Sequence, residues 1–580
     1  MIPNFFVNKY NIKFGIYKGA ISEDPTIYSD IYVCSQCLNY YIDKKTALSH
    51  NCKKNKNKSK KSAKNNLDYN KAMKYLVIWI AKKNISFRAI TDPDFKGFID
   101  ILGNFKVPSE TTIREFIKSF AKYITHKIYL TINNQNVSIL IDEVTRNGAK
   151  YLGVVFFLPQ KLFFLGLEPC QIATSFNIST IVTKYAQYID HSHSHLVSVC
   201  SDNARNNVSA LDGEAQKMAD ENFIRMPCTC HTANLALKDV LKQKHQEILN
   251  TVIFLISIFK EKSEIIPHIG KIPHFSEVRW FSIVDCVNFI IQNSIYFEEV
   301  KQIEYIEIQR KYGWNYIFSV LNTIKVLIEI LERDKSSAAD VFDNFYKTTY
   351  ELTQIAQSNP RFAQFNLSID VRDSLWSRFH STVSLKIPCI AFFLTGPGLQ
   401  LYENYINNIN ALNVENYLRE YLSTREDCDK LCRFFRFYLN FRNNTLLKEC
   451  PTTVDSFQFW SEVSQKGQFW KDEPQFSEDD NDLFGVETEF AAIAMEILTI
   501  PCSESPCERV FSHLSDLLQN NKRNLSFDML NALMIIRINS IFMEQVDDLN
   551  EFIYGELGKL AQINYDENDP SFEYDPLVNF

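Results

Sequence analysis

Apolar residues recur every three to four positions from about 67 to 126, as in YLVIWIAKKNISFRAITDPDFKGFIDILG. That spacing predicts helices broken at Asp92-Pro93 and Gly103. VPSETTIREFIKSFAKYI predicts a further helix capped by Ser109 or Thr111. At 137 the rhythm changes. VSILIDEV, YLGVVFFL and KLFFLGL are short apolar runs separated at Asn147-Gly148 and Pro159-Gln160, so three antiparallel strands are expected. TSFNISTIVTKYAQYI reads as a helix leading to a fourth strand, HLVSVCSD, and a helix-compatible NARNNVSALDGEAQKMA follows. Between about 290 and 485 the helical period returns without an assignable motif.

Composition sharpens this into a multidomain protein of mixed α+β or α/β class. A chain of 580 residues, 46% hydrophobic, exceeds what one core usually organises. With 16 Gly and 18 Pro against 45 Phe and 27 Tyr, most of it is expected to be ordered. The start, MIPNFFVNKYNIKFGIY, lacks a basic segment followed by a long apolar run, and no stretch reaches about 18 consecutive apolar residues. The expectation is a soluble, intracellular protein with no membrane partner. The 14 cysteines are mostly scattered, which suits free thiols and metal ligands better than a secreted disulfide framework. The net charge of −7 averages a basic run, KKNKNKSKKSAK at 53 to 64, against acidic stretches near 472 to 489 and 547 to 575. The sum therefore does not exclude DNA, and the basic run reads as a linker with or without phosphate contacts or a nuclear-import role.

Three places carry candidate chemistry. Cys34, Cys37, His50 and Cys52 give the spacing C-x2-C-x12-H-x-C, whose borderline-soft ligands suit tetrahedral Zn2+. His50 and Cys52 can share an ion only if the helix ends between them, as Asn51 permits. Asp142 and Asp202 each end an apolar strand, and two carboxylates on adjacent strands repel unless they are protonated or bridged by Mg2+ or Mn2+. Either acid also suits a turn or helix cap. Cys228, Cys230 and His231 cluster without a fourth ligand nearby, which favours core packing around one hydrogen-bonded imidazole.

Several words of this sequence resemble those of hAT superfamily transposases, in the same order. The cysteine-histidine set before a basic linker resembles a BED-type finger. Trp79, Phe95, Phe98, Pro108 and Ser109 resemble the segment that follows it, and the order βββαβα is that of an RNase H-like half-sheet. Cys228 and His231 match a C-x-x-H word. Arg279-Trp280 matches the Arg-Trp of T-R-W-x-S, with Val278 in place of Thr. The fullest match is IPCSESPCERVFS, against I-P-x-S-x-x-P-S-E-R-x-F-S, followed by Arg523-Asn524 and an apolar helix; Cys507 replaces the usual Ser.

The resemblance implies an RNase H-like mixed sheet interrupted by a large helical insertion and preceded by a small zinc-finger module and a helical domain. It divides the chain into 1–30, a finger at 31–52, a basic linker at 53–66, helices at 67–130, core at 131–248, insertion at 249–485, core with dimerisation region at 486–550, and an acidic tail at 551–580. It makes Asp142, Asp202 and Glu508 the catalytic acids for Mg2+ or Mn2+, and gives His231, Arg279 and Trp280 to DNA. Taken alone, Ser505-Pro506-Cys507-Glu508 also reads as a capping box with Pro at the first helical position. Leu525, Leu530, Leu533, Ile535 and Ile536 offer apolar surface for core or subunit packing, and a homodimer or higher homo-oligomer is expected. The implied function is DNA transposition in the nucleus. The rival is a domesticated or decayed, dimeric DNA-binding regulator without catalysis, and a different RNase H-like nuclease ranks behind both.

Overall fold

Alternating short strands open the chain: β1 (Asn4–Val7), β2 (Lys13–Ala20), β3 (Tyr28–Cys34) and β4 (Tyr40–Tyr41) pair consecutively as an antiparallel sheet. The structure, a computed structural model, describes residues 4–7, 13–20, 28–34, 40–41, 61–102, 105–146, 148–159, 161–214, 223–261, 271–276, 281–299, 302–406, 411–440, 450–466, 485–519 and 525–545. It divides into two compact units, Met1–His126 with Asp516–Phe580, and Lys127–Ser515.

In the first unit, Cys34 closes β3 on the strand pair β3–β4, consistent with a hairpin at that point. Cys37, His50 and Cys52 lie outside the described residues. The lysine-rich run is not all linker, because a helix already begins at Lys61 and continues to Lys83. The expected break at Asp92-Pro93 separates the Phe87–Thr91 and Pro93–Leu102 helices, and Asp92 Oδ1 accepts the Asp94 N–H at 2.9 Å. Ser109 takes the cap of the Glu110–Ile132 helix by accepting the Thr112 N–H at 3.2 Å. Trp79 stacks on Phe95 with ring centroids 6.4 Å apart. The Phe527–Gln545 helix packs on Lys61–Lys83. There Leu530, Leu533, Ile535 and Ile536 are buried within the chain itself, so of their two possible roles they take the core one.

The second unit holds the sheet predicted from residue 137 onward. β5 (Asn136–Arg146), β6 (Ala149–Leu158) and β7 (Lys161–Pro169) form an antiparallel meander, and Gly148 supplies the left-handed φ of +80° beside the first turn. The Ser175–His191 helix, capped by Thr174, crosses over to β8 (His195–Ser201), which runs parallel to β5. A fifth strand, β9 (Ile224–Pro227), not foreseen in the sequence, lies parallel to β8, giving the order β7-β6-β5-β8-β9. Residues 137–141 of β5 are buried without alternation, so the strand is covered on both faces, and the sequence there is accordingly a continuous apolar run.

From Gln246 to Lys466 all regular structure among the described residues is helical. Trp314–Leu331 is long and apolar enough to cross a bilayer, yet most of it is buried as a core helix. Ala338–Ser358 begins with a reciprocal capping box between Ser337 and Asp340.

Candidate active site

The level of Asp142 on the sheet is set by register. β5 does not end at this acid, as expected from the sequence, but continues to Arg146 because 143–146 remain paired with 149–152 of β6. What ends before Asp142 is the pairing with β8, whose last partners are Leu140 and Cys200. Two residues beyond each stand Asp142 and Asp202, so both acids emerge at the same end of the parallel pair. Each also accepts a backbone N–H close in sequence through Oδ1. Asp142 accepts the Glu143 N–H at 2.7 Å, and Asp202 accepts the Ala204 N–H at 2.9 Å and Asn207 Nδ2 at 2.6 Å.

Glu508 arrives from more than 300 residues away in the first turn of the Ser505–Gln519 helix. Buried hydroxyls tie the approach to the sheet: Ser198 Oγ donates to Ser138 Oγ at 2.8 Å, and Ser138 Oγ donates to the Thr499 carbonyl at 2.9 Å. Thr229 clasps the next turn, its N–H and Oγ both donating to the Cys502 carbonyl, at 2.9 and 2.6 Å. The expected cap is corrected here. Ser503, rather than Ser505, supplies the oxygen, accepting the Ser505 N–H at 3.0 Å, and the helix starts at Ser505 with Pro506 second.

The residues around Glu508 hold this helix in place. Phe511 sits against Gly153, the β6 partner of Asp142, so closely that a Cβ there would lie 2.8 Å from the ring. The Cys507 thiol points to the Gly153 carbonyl at 4.0 Å. Arg509 donates to the Glu332 carbonyl at 2.8 Å and pairs with Asp334, while Arg146 Nε donates to Ser515 Oγ at 3.1 Å.

Asp142, Asp202 and Glu508 are each half-buried and keep an edge open to solvent. Asp142 is nevertheless enclosed deeply enough that burial, then the carboxylates of Glu508 and Asp202, push its pKa up to about 8. A fourth acid joins them unannounced by the sequence reading. Glu504 is 4% exposed, and burial, the Cys228 thiol and the carboxylates of Asp142, Asp202 and Glu508 raise it well above the usual carboxylate range. Its Oε2 has no hydrogen-bond partner among the described residues. Among the described residues neither Asp142 nor Asp202 forms an ion pair with Lys or Arg. All-oxygen donors and one orphaned oxygen fit a hard divalent cation such as Mg2+ or Mn2+. Among the described residues no three His, Cys, Asp or Glu side chains already form a closed ligand group; the acids are electrostatic neighbours rather than a finished cage.

The other expected site residues divide into described and undescribed. Cys228 and Cys230 are buried, with thiols raised by burial. Cys228 Sγ accepts the His231 N–H at 3.5 Å, and His231 itself is half-buried in the first turn of the Thr229–Asp239 helix. Arg279 and Trp280 lie outside the described residues, but the next N–H, that of Phe281, donates to Asn234 Oδ1 of the same helix at 3.3 Å. Two open clefts, one lined by Tyr346, Tyr350, Arg372 and Trp376 and another by Glu247, Lys311 and Phe365, lie apart from Asp142, Asp202 and Glu508 in their lining. Sequence reasoning missed Glu504, Gly153 and β9. The available signal for Glu504 was a lone charge in an otherwise small and apolar IPCSESPC run.

No curated protein matches the chain. Residues 489–540, which include Glu508 and most of the Phe527–Gln545 helix, match the hAT family C-terminal dimerisation region. The match covers the C-terminal part of the described core and points to a hAT-type dimerisation region there.

Proposed function

We propose that the protein is a hAT-type DNA transposase with an RNase H-like core, which binds transposon ends and performs metal-dependent strand cleavage and transfer. The observation that carries this reading is the convergence of Asp142, Asp202 and Glu508, from three distant stretches, into one electrostatic cluster at the end of the β5–β8 pair. The order β7-β6-β5-β8-β9, with a helical crossover between β7 and β8, supports the RNase H-like assignment. The long helical stretch before Val486 supports the insertion.

Asp142, Asp202 and Glu508 would hold Mg2+ or Mn2+, which when bound activates a water or a DNA 3′-hydroxyl and stabilises the departing oxygen. The protein's part is to place the acids. Asp142 and Asp202 are set level by strand register, and Glu508 is aimed by a helix braced on Gly153. Without a cation, Asp142 keeps its proton at neutral pH and gives it up as positive charge enters.

In this reading His231, Arg279 and Trp280 position the transposon end, with Arg279 on a phosphate and Trp280 stacked on a displaced base. The finger of Cys34, Cys37, His50 and Cys52 holds Zn2+ and, with the basic run, adds DNA contacts. The protein would act in the nucleus.

The test is cleavage of a labelled duplex carrying the element's own ends by the full-length protein with Mg2+ or Mn2+. Asp142→Asn, Asp202→Asn and Glu508→Gln should each lose nicking by at least about a hundredfold while retaining DNA binding. Binding without cleavage in the parent protein as well as the variants would replace this reading with that of a non-catalytic regulator.

A further inference from the structure

We propose that Glu504 is a fourth carboxylate of the cation site, contributing an oxygen to the divalent ion held by Asp142, Asp202 and Glu508. The inference rests on the metal-dependent reading above and extends it to a residue at a variable position of the IPCSESPCERVFS stretch.

Buried acids elsewhere in the chain show what is unusual here. Glu415 is held by Arg436 at 2.6 and 2.7 Å, Asp343 by Lys347 at 2.5 Å, and Glu487 Oε2 accepts the Gly485 N–H at 2.6 Å. Glu504 is equally buried, yet among the described residues its Oε2 is the one buried carboxylate oxygen without a hydrogen-bond partner. A buried carboxyl oxygen left without a partner is costly and calls for an explanation.

Among the described residues no Lys or Arg forms an ion pair with Glu504. The strongest electrostatic neighbours of its carboxyl are Cys228, Asp142, Asp202 and Glu508, and the thiols of Cys200 and Cys507 also lie in range. The backbone around it is fixed: its carbonyl accepts the Cys507 N–H at 2.7 Å, and the neighbouring hydroxyls of Ser503 and Ser505 lie 2.6 Å from each other. An ion reaching the three solvent-edged acids is the positive charge that Glu504 lacks. The nearby thiols do not redirect the site to a soft metal. Cys228 is engaged by the His231 N–H, Cys507 faces the Gly153 carbonyl, and burial raises both thiols, which opposes formation of the thiolates a soft metal would need.

The test measures cation binding by the full-length protein without DNA, from the electron paramagnetic resonance signal of free Mn2+. Glu504→Gln keeps the shape and removes the charge; it should weaken Mn2+ binding by about ten- to a hundredfold, with unchanged circular dichroism. Glu504→Asp, which restores a carboxylate, should bind closer to the parent than Glu504→Gln does. Mn2+ affinity equal to the parent in Glu504→Gln, or Glu504→Asp binding no better than Glu504→Gln, overturns the inference. Asp142→Asn measured beside them separates the two levels. If it loses Mn2+ while Glu504→Gln does not, only the role of Glu504 falls; if neither loses Mn2+, the shared cation site falls with it.

Discussion

Asp142→Asn should make the metal-free protein more stable at pH 8 while removing its cation-dependent cleavage. In the fold the Asp142 carboxyl titrates near 8, against 3.8 for an unperturbed Asp, because it is enclosed and faces Glu508 and Asp202. Between those values the folded chain retains a proton that the unfolded chain has released. The stabilisation linked to that proton is fully present below about pH 4 and is lost as pH rises through about 8. Asparagine carries no such proton, so the variant should lack this downward slope and melt roughly 4 °C or more above the parent at pH 8. Mg2+ should reverse the ranking by stabilising the parent and leaving the variant unmoved. Melting curves from pH 5 to 9, with and without Mg2+, read both effects; parallel pH profiles for the two proteins would remove Asp142 from any buried acid cluster.

Gly153→Ala should be nearly as damaging, although the residue has no chemistry of its own. A methyl group at 153 would lie 2.8 Å from Cε1 and 3.1 Å from Cζ of Phe511, a buried ring with little room to retreat. Overpacking of this kind costs about 1–3 kcal/mol. Its functional effect should exceed that figure, because Phe511 sits one turn from Glu508 and Gly153 pairs with Asp142. Moving the helix by about 1 Å would separate the acids and lower cleavage on the order of a hundredfold. Shrinking the opposing side chain in Gly153→Ala/Phe511→Leu should recover part of both losses. Full activity in Gly153→Ala would show that the helix is not positioned through this contact.

Legibility in the sequence followed how locally each feature is encoded. The change of rhythm at 137 marked β5 to β8 because both faces of the sheet are covered, leaving continuous apolar runs. β9 is four residues long, with an Arg and a terminal Pro, too short to show a period. Asp142 was read as a strand end because the apolar run stops there. β5 in fact goes on as Glu143 to Arg146, held by β6 beyond the point where β8 leaves. The union of Asp142, Asp202 and Glu508 was not readable from spacing; it depended on resemblance, because the Ser198–Ser138–Thr499 chain that closes the gap consists of ordinary residues. Glu504 was hidden for a different reason. A Glu between two Ser residues looks solvated, and only the folded chain buries it, to 4% exposure. The finger ligands Cys37, His50 and Cys52, with Arg279 and Trp280, remain sequence expectations that lie outside the described residues.

Asp142, Asp202 and Glu508 should surround one divalent ion, and iron-directed backbone cleavage reads that arrangement in the protein itself. Fe2+ bound in place of Mg2+, with ascorbate and peroxide, generates radicals that cut the chain next to the ion. Three cuts are expected, near 142, near 202 and near 504 to 508, all suppressed by excess Mg2+ and absent from Asp142→Asn. Cuts at only one of these places, or the same cuts in Asp142→Asn, would contradict that arrangement.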